Sequence, residues 1–450
     1  MGLTATEQAK IRVLPWFLAH GMLNRVFGLW TFHGTVFVLF LNALGLPKGQ
    51  IGFLLSLFPF CGLLALGFAP IAAQLGRKRV FVFCYALRNP VMALLLLLPW
   101  FVSHHGKSAA VLFLSVIIIV FAVLRALGET AYHPWAQEFI PNRVRGKWSG
   151  WSAVLEMLAA GIALAIAGWV LGAGAGVGRY LILIGAGSVI GFTSALAITK
   201  VPGGAPIPRA GEAPTHTVNM RAALADRNFT NFLLGMAGQI IGVTMLVLFL
   251  PLYLREEAGL LSATIVRLDI VAMVGGVLAS LVWGWLSDRV GSRPVLMPAI
   301  FLLLVLPLGW LLLPLQIPYA LGGFIVFYFI FGVANNGVFI GAQRLFFNRV
   351  SPPEKSTAYM AIYYAWMGVT GGIAPLLAGG ILSVATDWRV RVIGLTVDGY
   401  TIIFGTALLF LASGCFFYRR VLPDGNHTTR SAVRSLMHRI GQKNRDPEKQ

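Results

Sequence analysis

Residues 109–144 read AAVLFLSVIIIVFAVLRALGETAYHPWAQEFIPNRV, an apolar run that turns polar part-way. From Arg125 onward polar groups recur every four residues, as Arg125, Glu129, His133 and Gln137. At that spacing side chains stack on one face of a helix, and a rise of ~1.5 Å per residue spreads them over ~18 Å. The run Ala109 to Leu124 leads directly into this face, so its first residues sit in an apolar medium. Whether that medium is lipid or protein core is decided by the rest of the chain.

Of the 450 residues, 57% are hydrophobic and 11% charged, where soluble domains carry roughly 25% charged residues. Apolar runs of about 20 residues, the length a ~30 Å hydrocarbon slab requires, recur along the whole chain. The expected fold class is an all-α polytopic membrane protein with twelve transmembrane helices in two sets of six. The first three spans are expected at 24 to 45, 50 to 74 and 80 to 101. The expected divisions are an interfacial N-terminal segment (1–23), an N-terminal six-helix bundle (24–199) and a cytoplasmic linker (200–228). A C-terminal six-helix bundle (229–418) and a basic cytoplasmic tail (419–450) follow.

Lys and Arg concentrate in loops that stay cytoplasmic, and this fixes the orientation. With the N-terminus inside, Lys48, Lys107, Arg179, Arg255, Arg267, Arg389 and Arg391 fall outside and Arg88 and Arg125 within spans. The remaining 26 of the 35 basic residues lie inside, so both termini are expected in the cytoplasm of a cell whose inner membrane holds the chain. A net charge of +19 would suit nucleic acid, but its distribution over alternate loops is explained by topology and anionic lipid, and no nucleic-acid partner is expected. Thr6 to Leu23 is of mixed polarity and lacks a small-residue cleavage site, which reads as an interfacial lead-in rather than a signal peptide.

Cys61, Cys84 and Cys415 all fall in expected spans, so neither a disulfide framework nor a metal motif is expected. Val201 to Asn228, with Pro202-Gly203-Gly204, Pro206, Pro208 and Pro214, reads as a flexible linker. Arg430 to Ile440 reads as a basic amphipathic helix, suited to an anionic leaflet or simply solubilising. The sequons at Asn228 and Asn426 fall on the cytoplasmic side of this topology, where glycosylation is not expected.

The two halves repeat. Ala136-Gln137 and Asn142-Arg143-Val144 recur as Ala342-Gln343 and Asn348-Arg349-Val350. Gly161-Ile162-Ala163 and Ala167-Gly168 recur as Gly372-Ile373-Ala374 and Ala378-Gly379, after a five-residue insertion around Ser351 to Lys355. Parallel six-helix repeats around a central cavity characterise one large class of transporters.

At this point the chain resembles the major facilitator superfamily. Gly284-Trp285-Leu286-Ser287-Asp288-Arg289-Val290-Gly291-Ser292-Arg293 is similar to the family's loop between the second and third helices of a half. The first half has Gly76-Arg77-Lys78-Arg79, with Ala73 and Gln74 where Asp-Arg would stand. Arg125 with Gly128 resembles the family's fourth-helix pattern one residue short. Gly368, Gly372, Pro375, Gly379 and Gly380 in helix eleven resemble an antiporter pattern usually found in helix five. The resemblance implies a cytoplasmic gate at Gly284, Asp288, Arg289, Gly291 and Arg293, with Glu138, Arg143, Arg77 and Arg79 as its first-half counterpart. Helix-end charges without a gating role are the competing account.

Within the spans, an unpaired charge at mid-membrane costs roughly 2.5 to 3.5 kcal/mol, so Arg125 needs a partner or a wet cavity. Arg125 and Glu129 are read as cavity or coupling residues, against a structural pair between helices. Glu156 is an isolated carboxyl among apolar residues and so a candidate proton carrier, against an ion pair with Arg88. His133 and His33 are weaker candidates, commoner as hydrogen-bonded structural histidines. Repeat symmetry sets Asn335 and Asn336 at the positions of Glu129-Thr130, which places them on the cavity with Gln239, Tyr363, Tyr364 and Trp366. Aromatic residues in membrane helices are also common packing anchors.

The expected function is a secondary active transporter working by alternating access on a small polar or anionic organic solute, coupled to protons through Glu129, Glu156 and Arg125. The alternatives are a multidrug or lipid exporter and a membrane binding or regulatory protein that no longer transports. An intramembrane enzyme is not expected, since no Ser-His-Asp set, metal-ligand spacing or phosphate loop is present. No cofactor is expected, the partners are solute, protons and the bilayer, and a monomer is the default state.

Overall fold

The computed structural model describes residues 5–174, 176–206, 220–312, 320–352, 356–385, 388–392 and 395–424. They are helical almost throughout, as a chain that must satisfy its backbone polar groups inside lipid requires. The expected helix over Arg430 to Ile440 and the sequon at Asn426 lie outside the described residues.

Two compact units form: Met1–His216 with Val247–Ile270 and Gly368–Tyr400, and Thr217–Leu246 with Val271–Met367 and Thr401–Gln450. In the first unit run α1 (Ala5–Thr31), α2 (Thr35–Ala43), α3 (Lys48–Gly62), α4 (Ala65–Leu75), α5 (Arg77–Ala93), α6 (Leu98–Phe139), α7 (Asn142–Gly172) and α8 (Val177–Thr199). Beyond the linker come α9 (Met220–Ala225), α10 (Arg227–Glu256), α11 (Ser262–Val290), α12 (Arg293–Leu312), α13 (Ala320–Leu345), α14 (Ser356–Val384) and α15 (Gly399–Arg420). Helices α10, α11 and α14 each contribute one end to the first unit and the remainder to the second. The only described strands, β1 (Val390–Val392) and β2 (Leu395–Val397), make a small antiparallel hairpin between α14 and α15.

Among the described residues, ten helical stretches are long and apolar enough to cross a membrane. One of them, Arg77–Phe139, holds two crossings, because Gly106 at φ 78° and ψ 173° interrupts it. Helices α3 and α4, of 15 and 11 residues, are each too short alone, yet together they cover the expected span 50 to 74. Splitting the one stretch and joining the other pair gives the twelve crossings expected from the sequence.

The first crossing departs from expectation. Residues 1–23 were expected as an interfacial lead-in, but helix α1 is continuous from Ala5 to Thr31 and the apolar stretch runs Lys10–Ala43. Leu14, Phe17 and His20 are buried, with Phe17 stacked on Tyr132 at 5.5 Å between ring centres. One polar group of this segment, His20, is satisfied inside the bundle. The Oγ of Ser194 bonds His20 from α8, at 2.9 Å to its Nδ1. Helix α1 breaks at Phe32-His33-Gly34, where Gly34 takes φ 75° and α2 begins.

In the first unit α1 packs on α7 and α8, while α6 packs on α3, α4 and α5. Buried Phe81, Trp135, Phe139 and Ile198 belong to one apolar cluster there. The Trp135 indole donates to the Pro202 carbonyl at 3.0 Å, and the Lys78 amide donates to the Gly204 carbonyl at 3.3 Å, so the first linker residues are tied to α5 and α6.

In the second unit α12 packs on α13, and α11 crosses α13 backbone to backbone at Gly332. A Cβ on Gly332 would run into the Ala272 carbonyl and approach the Gly276 amide to 2.9 Å. Asn336 closes the same crossing by donating to the Gly276 carbonyl at 2.6 Å. Gly332→Val overpacks this crossing, and such changes typically cost about 1 to 3 kcal/mol. The expected result is a clearly lowered thermal midpoint of the purified protein, whereas Gly322→Ala, where a Cβ would meet nothing, leaves the midpoint in place.

Candidate functional site

Helices α1, α5 and α6 bring together a set of polar groups in the first unit. Gly128 has no side chain, and a Cβ there would lie 2.6 Å from the Tyr85 ring, so the ring seats directly against α6. From that seat the Tyr85 hydroxyl donates to Glu129 Oε1 at 2.7 Å. Glu129 Oε2 lies 4.0 Å from Nε2 of His133, whose side chain is 76% exposed. Arg125, half-buried one turn before Glu129, holds its guanidinium 5.4 Å above the Phe32 ring. Among the described residues no carboxylate lies within 4.0 Å of that guanidinium.

Beside this set, Arg88 is 2% exposed; its Nη2 donates to Asn24 Oδ1, and its guanidinium sits 3.4 Å above the Tyr85 ring. Arg88 therefore does not pair with Glu156. Glu156 lies instead against Gly21 of α1. His33 is exposed in the break between α1 and α2, edge-on to Phe32 at 6.3 Å. Phe32 also contacts Phe121 at 4.5 Å and Phe58 at 5.8 Å, which gives the wall beside Arg125 an aromatic lining.

The second unit places its expected residues in several separate contacts. Gln239 Oε1 accepts from the Tyr418 hydroxyl at 3.1 Å, and Trp366 donates to the Leu233 carbonyl at 2.8 Å. Tyr363 stacks on Phe346 at 4.4 Å, while Tyr364 is 50% exposed. Asn335 is half-buried next to Asn336, whose amide is committed to α11.

At the helix ends, Glu138 gathers three segments. Its carboxylate lies 3.7 Å from Arg77 and accepts from the Gly204 amide at 3.3 Å, while its carbonyl accepts from Lys10 at 2.9 Å. Arg79 is exposed, and the Arg143 side chain lies outside the described residues. In the second unit Asp288 pairs with Arg344 of α13 at 2.5 Å, Arg289 stacks 4.2 Å above Trp285, and Arg293 donates to the Arg419 carbonyl. Gly291, at φ 90°, makes the turn between α11 and α12, and Gly284 faces open space.

Asp424, just beyond α15, caps α12. It accepts from the Ser292 amide at 2.8 Å and from its hydroxyl at 2.5 Å. Burial disfavours the charge of Asp424, but its hydrogen bonds together, from Ser292 first and also from Asn348, outweigh it and hold the carboxyl below the ordinary aspartate range. A carboxyl lowered in the native state stabilises above its unfolded value of 3.8 and loses that contribution as pH falls through the lowered value. Asp424→Asn should therefore speed hydrogen exchange at the Ser292 amide several-fold at neutral pH, and acidification well below 3.8 should bring the wild type towards the variant.

Three residues of these sets were not singled out from the sequence. Tyr85 and Asn24 carry no charge and sit in unremarkable contexts, although Tyr85 stands three residues before Arg88, one helical turn away. Asp269 is an embedded carboxyl in α11, hydrogen-bonded to Thr35 of α2. The criterion that selected Glu156, a lone acid between apolar neighbours, would have found it.

The sequence pattern of the Major Facilitator Superfamily matches residues 25–316 and again 268–441. The chain belongs to the Major Facilitator Superfamily. Its fold agrees with solved superfamily transporters. The nucleoside transporter NupG aligns with a TM-score of 0.66 at 14% identity, over 92% of this chain and 98% of that one. The xylose transporter XylE from E. coli, in an inward-open conformation, aligns with a TM-score of 0.65 at 13% identity, over 94% and 99%. A bacterial homologue of the iron transporter ferroportin, inward-facing, aligns with a TM-score of 0.66 at 14% identity, over 91% and 98%. No curated protein matches the sequence. This superfamily member is thus an integral, multi-pass transport protein, and its low identity to these structures carries the fold alone.

Proposed function

We propose that this superfamily member is a secondary active transporter of a small polar or anionic organic solute, driven by protons. The observation that carries the reading is the polar set on α6. A half-buried guanidinium with no carboxylate within 4.0 Å among the described residues stands one turn from a carboxylate held by a phenol. A cation embedded in a membrane helix demands compensation, and an anionic or strongly polar solute supplies it at Arg125. Glu129, with one oxygen bonded and the other towards His133, carries the proton, and Glu156 is the reserve candidate. His33, exposed beside Phe32, adds a hydrogen-bonding group next to this set.

The same reading gives the helix-end clusters their roles. Both termini are cytoplasmic, from the distribution of Lys and Arg, in a monomer within the cell membrane. Asp288, Arg289, Arg293, Gly284 and Gly291 then form the cytoplasmic gate of one half, and Glu138 with Arg77, Arg79 and Arg143 that of the other. The aromatic lining at Phe32, Phe58 and Phe121 supports a second reading, an exporter of drug-like or lipid-like compounds.

Uptake into proteoliposomes, with and without an imposed pH gradient, separates the two readings when a panel of organic anions is run beside lipophilic cations. Gradient-dependent accumulation of an anion supports the first. Accumulation that ignores the gradient removes proton coupling, and transport confined to lipophilic cations moves the assignment to the exporter.

A further inference from the structure

We infer that Arg88 is a positioning residue for the Glu129 carboxyl and acts on it through the ring of Tyr85. Arg88 is the most thoroughly embedded cation of the described chain, 2% exposed in the middle of α5. Among the described residues no carboxylate lies within 4.0 Å of it. A guanidinium in a membrane helix needs compensation, and here it comes from the amide of Asn24 and from aromatic faces. The Tyr85 ring lies at 3.4 Å, with Phe27 at 5.2 Å and Phe121 at 5.7 Å.

The contact with Tyr85 is close enough to have a chemical consequence. A cation over the face of a phenol draws electron density from the ring, and its hydroxyl becomes a stronger donor in a low-dielectric setting. That hydroxyl is committed to Glu129 Oε1 at 2.7 Å. The ring is fixed on its other sides by Phe81, 3.9 Å between centres, and by the bare backbone of Gly128. Asn24, Arg88, Tyr85 and Glu129 thus form one chain of contacts across α1, α5 and α6.

The chain leaves Glu129 with two unlike oxygens. Oε1 is tied to the phenol, and Oε2 faces His133 at the exposed side. A proton reaching this carboxyl is thereby directed to Oε2. The inference rests on the coupling role proposed for Glu129 only for this last consequence; the positioning itself is a statement about geometry.

The test uses the full-length protein in liposomes, with glutamate carboxyls isotope-labelled, and reads the Glu129 band in the infrared as the one lost in E129Q. Tyr85→Phe removes the donor and should move that band. Arg88→Gln should move it in the same direction by a smaller amount, and should add nothing in the Tyr85→Phe background, because both act on one hydrogen bond. Arg88→Lys, which can keep a cation over the ring but not the planar stack, should move the band less than Arg88→Gln does. Should Arg88 variants fail to fold, Asn24→Leu releases the guanidinium without touching it and should move the band likewise. An unchanged band in a folded Arg88→Gln or Asn24→Leu variant overturns the inference, as does full additivity with Tyr85→Phe. Gradient-driven uptake that survives in E129Q would instead overturn the coupling role and leave the band test standing.

Discussion

Glu129→Gln should abolish proton-driven accumulation while leaving insertion and solute exchange intact. The substitution keeps the size of the side chain and an oxygen that can accept from the Tyr85 hydroxyl, which now bonds Glu129 Oε1 at 2.7 Å. What it removes is the capacity to take and release a proton. If one proton moves with each solute, a gradient of one pH unit is worth about 1.4 kcal/mol and supports roughly tenfold accumulation. In the variant the internal level should stop near the external one, and preloaded vesicles should still exchange labelled for unlabelled solute. Arg125→Gln gives a different signature: binding itself weakens, so accumulation and exchange fall together. The measurement is paired uptake and counterflow in proteoliposomes of both variants. Wild-type accumulation in Glu129→Gln would transfer the coupling role to Glu156, which lies against Gly21 of α1.

The contrast between these two residues shows what the sequence could and could not disclose. That Arg125 and Glu129 share a face in an apolar span followed from four-residue spacing and run length alone, because both are properties of one helix. The crossings as a set were legible for the same reason. Partnerships between helices were not. Glu156 and Arg88 looked like a natural ion pair, since each was the other's most plausible opposite charge. The structure gives Arg88 to Asn24 and to the face of Tyr85 instead. Charge counting is blind to a cation satisfied by neutral groups.

The misplaced start of the first span has a related cause. The mixed polarity of Thr6 to Leu23 made that segment look interfacial, because hydropathy treats each polar group as if it met lipid. His20 finds Ser194 and Asn24 finds Arg88, so the helix runs on through them. Gly128 shows the opposite case. Its place near Arg125 was readable from the family pattern, but its reason, the seat of the Tyr85 ring, belongs to the contact with α5.

The second large effect is expected at Gly379, where α14 meets α3 within the first unit. The helices touch there through backbone: a Cβ on Gly379 would come to 2.9 Å of both the Gly52 Cα and the Lys48 carbonyl. Close by, Lys48 binds Glu256 and Asn42, Tyr400 donates to Glu256 at 2.6 Å, and Arg389 pairs with Glu257 at 2.6 Å. Under the proposed orientation this is the outer end of the bundle, and alternating access requires it to part and close in every cycle. Gly379→Val prevents close approach of α3 and α14, and overpacking of this kind is worth about 1 to 3 kcal/mol. Spent against one conformation only, that energy shifts the balance between the two states about 5- to 150-fold. Turnover should therefore fall about fivefold or more, with the outer end held open. Glu256→Gln should do less, because ion pairs at a wet rim contribute about 0 to 1 kcal/mol. A cysteine placed at His33, in a background lacking Cys61, Cys84 and Cys415, reports the state directly. A membrane-impermeant maleimide added outside should label it faster in Gly379→Val than in the parent. Equal labelling with undiminished uptake would mean that the contact between α3 and α14 is static packing and that the outer gate lies elsewhere.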